Sequence, residues 1–176
     1  MKKLSMDELN RMSVDEFHRT DKFPLVIVLD NIRSMMNIGS VFRTADAFRV
    51  ESIFLCGITA TPPNREIHKT ALGATESVDW KYFEKTTDAI MQLKKDDFFV
   101  VAMEQTDSSI SLSNFKPSND KKYAIVFGNE VKGVEDEVLK MCDACIEIPQ
   151  FGTKHSLNIA VTAGMVVWDF YSKLLK

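Results

Sequence analysis

The last third of this 176-residue chain holds three runs of small and polar residues that could do chemistry. They are Phe127-Gly128-Asn129-Glu130-Val131-Lys132-Gly133-Val134, Ile148-Pro149-Gln150-Phe151-Gly152 and Ser156-Leu157-Asn158. The first two leave strand-like segments, and the third opens a long apolar run. Uncharged polar groups and one carboxylate are thereby gathered at strand ends, where open α/β sheets bind ligands. A glycine turn there lets a ligand touch backbone amides and carbonyls. Glu130 can accept a proton, orient an arginine or balance a cationic ligand; equally, it can cap a helix. Ser156 and Asn158 straddle a helix start, whose free N–H groups favour electron-rich ligands or are simply capped. The glycines come late in the chain, which argues against the nucleotide-binding layout whose glycine turn follows the first strand.

A fourth run, Asn37-Ile38-Gly39-Ser40-Val41-Phe42-Arg43, has helical spacing. Gly39 and Arg43 are four apart and share a face, so bare backbone lies beside a planar five-donor cation suited to phosphate. Asn37 falls where a cap belongs. The plainer alternative makes Asn37 a cap and Arg43 the partner of a surface carboxylate such as Asp46. His155-Ser156 invites a nucleophile–base reading, but adjacent residues rarely present that geometry and the nucleophile-elbow motif is absent. His18 and His68 lack metal-ligand spacing. Cys142-Asp143-Ala144-Cys145 lacks the thioredoxin-like context or second ligand pair that a redox or zinc role requires, so two small semi-buried residues are expected.

The elements that must position these groups follow from periodicity. Buried strands are expected at 25–29, 52–56, 78–83, 98–103, 123–127 and 144–148, with helices near 38–48, 65–72, 86–95, 134–141 and 157–175. Ser5-x-x-Glu8 and Ser13-x-x-Glu16 match capping boxes, which gives residues 5–19 two short helical turns or one broken helix. Residues 108–120 are polar and turn-rich. Strand and helix alternate, so the class is α/β with a mainly parallel sheet flanked by helices. Residues 1–24 form an N-terminal helical extension, and 25–176 the main domain. The last helix is apolar on most sides, which implies burial in the core or against a second subunit.

A hydrophobic fraction of 45% over this length supports one domain with a substantial core. No run is long enough to span a membrane, and the N-terminus lacks the apolar segment of a secretory signal. Three cysteines, Cys56, Cys142 and Cys145, fit a reducing compartment, and a soluble cytoplasmic protein is expected. The formal net charge of −3 is awkward for a nucleic-acid binder. Binding needs only a local patch, and Arg33, Arg43, Arg49, Arg65, His68 and Lys69 are positioned to supply one.

Taken in order, Asn37-Ile38-Gly39 with Arg43, Gly128-Asn129-Glu130 with Gly133, and Ile148-Pro149 followed by Ser156-Leu157-Asn158 resemble the three motifs of the SpoU (TrmH) family of RNA 2′-O-ribose methyltransferases, in the SPOUT class. The resemblance spans residues 25 to about 172. It implies a C-terminal trefoil knot, S-adenosylmethionine as cofactor and a homodimer whose active site draws on both chains. Carried over by position, Asn37, Arg43, Glu130, Ser156 and Asn158 are the catalytic set. Met103, Gly128, Asn129, Gly133, Ile148 and Leu157 form the cofactor pocket, and Arg33, Arg43, Arg65, His68 and Lys69 contact RNA. The implied partner is RNA rather than DNA, with tRNA favoured over ribosomal RNA, and neither membrane nor metal is needed. The alternative from another class is a non-catalytic RNA-binding or assembly protein with the same fold; a methyltransferase acting on a small molecule or protein is a third.

Overall fold

The computed structural model describes residues 1–5 and 7–175; Met6, inside the expected N-terminal helical turns, and Lys176 lie outside the described residues. A 3₁₀ turn at Asp7–Leu9 precedes helix α1 (Val14–Arg19), which opens with the expected capping box between Ser13 and Glu16. The chain then enters β1 (Phe23–Asp30), α2 (Met35–Ala47) and β2 (Val50–Cys56). Helices α3 (Arg65–Ala71) and α4 (Ala74–Ser77) lead to β3 (Trp80–Phe83), α5 (Thr86–Lys95) and β4 (Phe98–Met103). The remainder is β5 (Ile110–Ser111), β6 (Lys122–Phe127), α6 (Asp136–Met141), β7 (Ala144–Glu147) and α7 (Ile159–Leu174).

The strands form one seven-stranded sheet in the order β3-β2-β1-β6-β4-β7-β5, and its pairings are parallel. Such a sheet must be covered on both faces. Side-chain alternation along β1 does this directly: Leu25, Ile27 and Leu29 enter one core, with residues of α2, α3 and α7. Val26 and Val28 enter the other, with residues of α5 and α6. Phe17 of α1 is buried in the first core, so the N-terminal extension is tied to the main body. β1 lies between β2 and β6, so the chain leaves it towards opposite sheet edges in the two halves of the sequence. That switch point opens a crevice at the strand C-termini. The insertion of β6 between β1 and β4 is compatible with the expected knot.

Three expectations are corrected here. The polar stretch 108–120 contains β5, a two-residue strand paired only with β7. Strand β3 starts at Trp80 rather than Val78, because residues 74–77 form α4 and Val78 caps it. Helix α7 is not buried all round: Ile159, Ala163, Val166, Val167 and Phe170 are covered, while Val161, Met165 and Trp168 form an exposed stripe.

Candidate active site

The crevice at the strand ends is a cavity of about 830 Å³. Met103 at the end of β4, Phe127 and Gly128 at the end of β6, and Ile148 after β7 form its floor, with Leu157 at the side. Its walls are the turn Asn129–Val134, Asn37 on α2, and Ser156 and Asn158 at the start of α7. All six expected cofactor-binding residues and four of the five expected catalytic residues therefore line one space.

The three sequence motifs meet through side-chain amides. Asn158 Nδ2 donates to Asn37 Oδ1 at 3.2 Å, and Asn37 Nδ2 donates to Glu130 Oε1 at 3.4 Å. Glu130 also accepts from the backbone N–H groups of Arg33 (3.1 Å) and Ser34 (3.2 Å). Its carboxylate thus sits at the N-terminus of α2, where the helix dipole favours negative charge. Partial burial alone pulls the Glu130 pKa up. The backbone N–H groups of Arg33, Glu130 itself and Ser34, with the Asn37 amide, outweigh it and hold the carboxyl below the ordinary glutamate range. Glu130 is an anchored anion rather than a cap of α6, whose N-cap is Glu135.

The turn after β6 is itself tightly built. Asn129 and Gly133 exchange both backbone hydrogen bonds, at 3.0 and 2.9 Å. Asn129 Oδ1 accepts from Val131 and Lys132 N–H, and its Nδ2 donates to the Asn31 carbonyl at 2.6 Å. Gly133 has φ +71°, a conformation that L side chains rarely adopt. Glu104, just past β4, accepts from Val134 N–H at 2.9 Å and pins the far end of the turn.

Other placements differ from expectation. Ser34, not Asn37, caps α2, which frees the Asn37 amide for Glu130 and Asn158. Gly39 does not leave backbone open for a ligand. A Cβ there would lie 2.2 Å from the Ile67 carbonyl oxygen, so the glycine admits α3 against α2. Asp46 accepts from Ser77 rather than pairing with Arg43. Arg43 is exposed, has no ion-pair partner among the described residues and does not line the cavity of its own chain. Arg33, Arg65 and His68 are exposed; Lys69 is paired with Glu66 at 2.7 Å. Cys142 and Cys145 lie outside the cavity. Burial pushes both thiols up, Cys142 to about 12, the opposite direction from the lowered values of reactive cysteines.

Sequence reasoning missed Glu104, Gln105 and Thr106, which line the cavity beside Met103. Their signal was available, since they directly follow an expected strand. It also missed Asp30, a fully buried carboxylate at the end of β1 that accepts from Thr86, Asn31 and Glu135 N–H.

The family model "SpoU rRNA Methylase family" matches residues 24–168. The chain belongs to the SpoU rRNA methylase family. It is 31% identical over 144 residues to the 23S rRNA (guanosine-2′-O-)-methyltransferase RlmB of Neisseria meningitidis serogroup B, a match covering 82% of this chain and 56% of that protein. Among solved structures, an AdoMet-bound rRNA methyltransferase from Sinorhizobium meliloti superposes with a TM-score of 0.80 at 27% identity, over 89% of this chain and 59% of that one. A TrmH/SpoU tRNA modifying enzyme of A. aeolicus shares the fold, with a TM-score of 0.79 at 21% identity, over 91% and 81% of the two chains. The chain spans less than two thirds of the length of the curated SpoU-family relatives it matches.

Proposed function

We propose that this chain is an S-adenosylmethionine-dependent RNA methyltransferase that modifies a ribose 2′-hydroxyl. The observation that carries the reading is the linked set Glu130, Asn37 and Asn158 on the wall of a single strand-end cavity. A packing or assembly role needs no such chain of polar contacts between three distant segments. The cavity fits the cofactor chemically. Met103, Phe127, Ile148 and Leu157 offer apolar surface, the turn 128–134 offers backbone groups, and Glu104, Glu130 and Asp136 offer carboxylates for a cationic ligand. When bound, S-adenosylmethionine supplies a methyl carbon activated by its sulfonium charge.

The protein's own work is then largely alignment, for which effective-molarity gains reach about 7–11 kcal/mol. Ser156 and Asn158 hold the ribose at the cavity mouth. Asn37 is fixed between Asn158 and Glu130, and Glu130 acts as organiser because its carboxylate is held below the ordinary glutamate range and already accepts from Arg33, Ser34 and Asn37. Arg43 stabilises the alkoxide developing on the ribose oxygen as a protonated guanidinium. Since Arg43 is absent from its own chain's cavity, it serves the cavity of a second copy. The exposed apolar stripe Val161, Met165 and Trp168 on α7 supports such a homodimer. Arg33, Arg65, His68 and Lys69 provide the cationic surface for RNA, with tRNA favoured over rRNA as substrate and the cytoplasm as compartment.

The test is mass spectrometry of ribose-methylated nucleosides from cells with and without the gene, followed by methyl transfer in vitro to the RNA that lacks the mark. The reading predicts one missing 2′-O-methyl nucleotide, restored by the purified protein and cofactor. An unchanged nucleoside profile, together with no cofactor binding by calorimetry, supports the non-catalytic assembly alternative instead.

A further inference from the structure

A second cavity, of about 570 Å³, shares no lining residue with the first. Pro62 and Pro63 before α3, Arg65 and His68 on α3, Glu76 on α4 and Trp80 on the edge strand β3 surround it. Arg65 and His68 are three apart and so share a helix face. The side chains of Arg65, His68, Glu76 and Trp80 make no hydrogen bond or ion pair among the described residues, though Arg65 and Glu76 carry opposite charges. Trp80 is half-buried on the sheet edge, its indole N–H meets no acceptor, and its ring stacks on no other aromatic among the described residues. Buried or half-buried indoles usually satisfy that N–H.

Flat aromatic and prolyl surfaces, a guanidinium fork, an imidazole and a free carboxylate around one concavity match the chemistry of a nucleotide. Unpaired RNA bases are stacked on aromatic rings and hydrogen-bonded along their edges. Arginine forks bind phosphate bidentately. The volume lies within the range of small-ligand sites. The helices that contribute to the two cavities touch: Thr70 of α3 donates to the carbonyl of Met36 on α2, next to Asn37, at 2.9 Å. The N-terminal extension supports the outer wall, because His18 Nε2–H donates to the Glu76 carbonyl at 3.1 Å.

We infer that this cavity receives an unpaired nucleotide of the RNA substrate, its base against Trp80 and its phosphate at Arg65, at a site separate from the nucleotide that is methylated. The inference deepens the RNA reading above and rests on it for the identity of the ligand. The test follows tryptophan emission and labelled-RNA anisotropy together, using short homo-oligoribonucleotides of A, G, C and U and total RNA from cells lacking the gene. RNA is expected to quench the emission of the wild type, with most of the quench lost in Trp80→Phe while affinity stays within about twofold, because the smaller ring still stacks. Trp80→Ala is expected to weaken RNA binding roughly 5- to 150-fold. The exposed double variant Arg65→Ala/His68→Ala, which removes no packed side chain, is expected to weaken it similarly while calorimetric cofactor affinity is unchanged. A quench identical in wild type and Trp80→Phe at saturating RNA, or full affinity in the double variant, overturns the inference. Methyl transfer to RNA with a silent Trp80 sinks this site alone. A Trp80 quench without methyl transfer supports this site and sinks the activity.

Discussion

Two loops form the walls of the strand-end cavity, and they are built in opposite ways. The turn 128–134 is closed by its own backbone bonds, anchored by Asn129 to Asn31 just after β1 and pinned by Glu104 just after β4. The run 149–157 is exposed except for Gln150 and, among the described residues, makes no direct hydrogen bond until Asn158 caps α7. One wall is preformed; the other is held by no hydrogen bond of its own among the described residues. If the cavity takes S-adenosylmethionine as proposed, the first wall meets it in a fixed geometry and the second is the segment expected to order on binding. Low-stability segments at ligand sites are expected to behave in this way.

The third component of the site comes from neither loop. If Arg43 serves the cavity of a second copy, removing it must leave both walls intact. Arg43→Ala is therefore expected to lower methyl transfer by about 10²–10³-fold, the usual loss for one electrostatic donor to a developing oxyanion. Cofactor affinity by calorimetry should not move. Mixing this variant with an Asn158→Ala variant, inactive for a different reason, should restore part of the activity through hybrid dimers. No restoration, with exchange of subunits verified by mass spectrometry, would place the guanidinium in its own chain's site.

Glycine substitutions separate the two walls directly. A Cβ on Gly128 would lie 2.2 Å from the Gly133 carbonyl carbon, and one on Gly133 would lie 2.2 Å from Glu104 Oε2 at φ +71°. A Cβ on Gly152 meets nothing within 4 Å. Gly133→Ala is expected to destabilise the protein by about 1–3 kcal/mol in chemical denaturation and to weaken cofactor binding. Gly152→Ala should stay within about 0.5 kcal/mol of wild type. Equal effects at the two positions would remove the distinction between a rigid and an unformed wall. Hydrogen exchange gives a milder version of the same comparison. Amides in 149–157 should exchange fast and slow on cofactor addition, whereas those of Gly133 and Val134 should be protected in both states.

The residue types of the rigid wall were plain in the sequence, but the contacts that fix it were not. Gly128, Asn129 and Glu130 announce a turn after a strand, but what holds Glu130 is the backbone of Arg33 and Ser34, 97 and 96 residues away. No local pattern encodes a contact at that separation. Asn37 misled because an asparagine near a helix start looks the same whether it caps the helix or reaches across a cleft. Gly39 misled because a bare helix face admits another helix as readily as a ligand. The buried strands were legible to within about two residues, since strands covered on both faces read as continuous apolar runs. Strand β5 was invisible because two residues carry no periodicity, and the sheet order was invisible because it is set by crossovers between distant strands. The amphipathic split of α7 was hidden by its exposed Val161, Met165 and Trp168, which are apolar like its buried face.

The smallest effect expected concerns the anchored carboxylate, and its sign follows from the direction of its pKa shift. The folded protein holds Glu130 below the ordinary glutamate range. Its contribution to stability is therefore complete above the unfolded-state value and is lost as pH falls through the lowered folded value. Because Glu130 is well exposed, solvent screening keeps that contribution small. Glu130→Gln preserves the shape and one acceptor oxygen while removing the charge that collects the Arg33 and Ser34 N–H groups. The gap in melting temperature between wild type and Glu130→Gln should be constant from neutral pH down to the ordinary glutamate range and should close below it. A gap that instead widens on acidification would mean that the folded protein favours the protonated acid, and Glu130 would then be a candidate proton carrier rather than the fixed anion on which Asn37 and Asn158 are aligned.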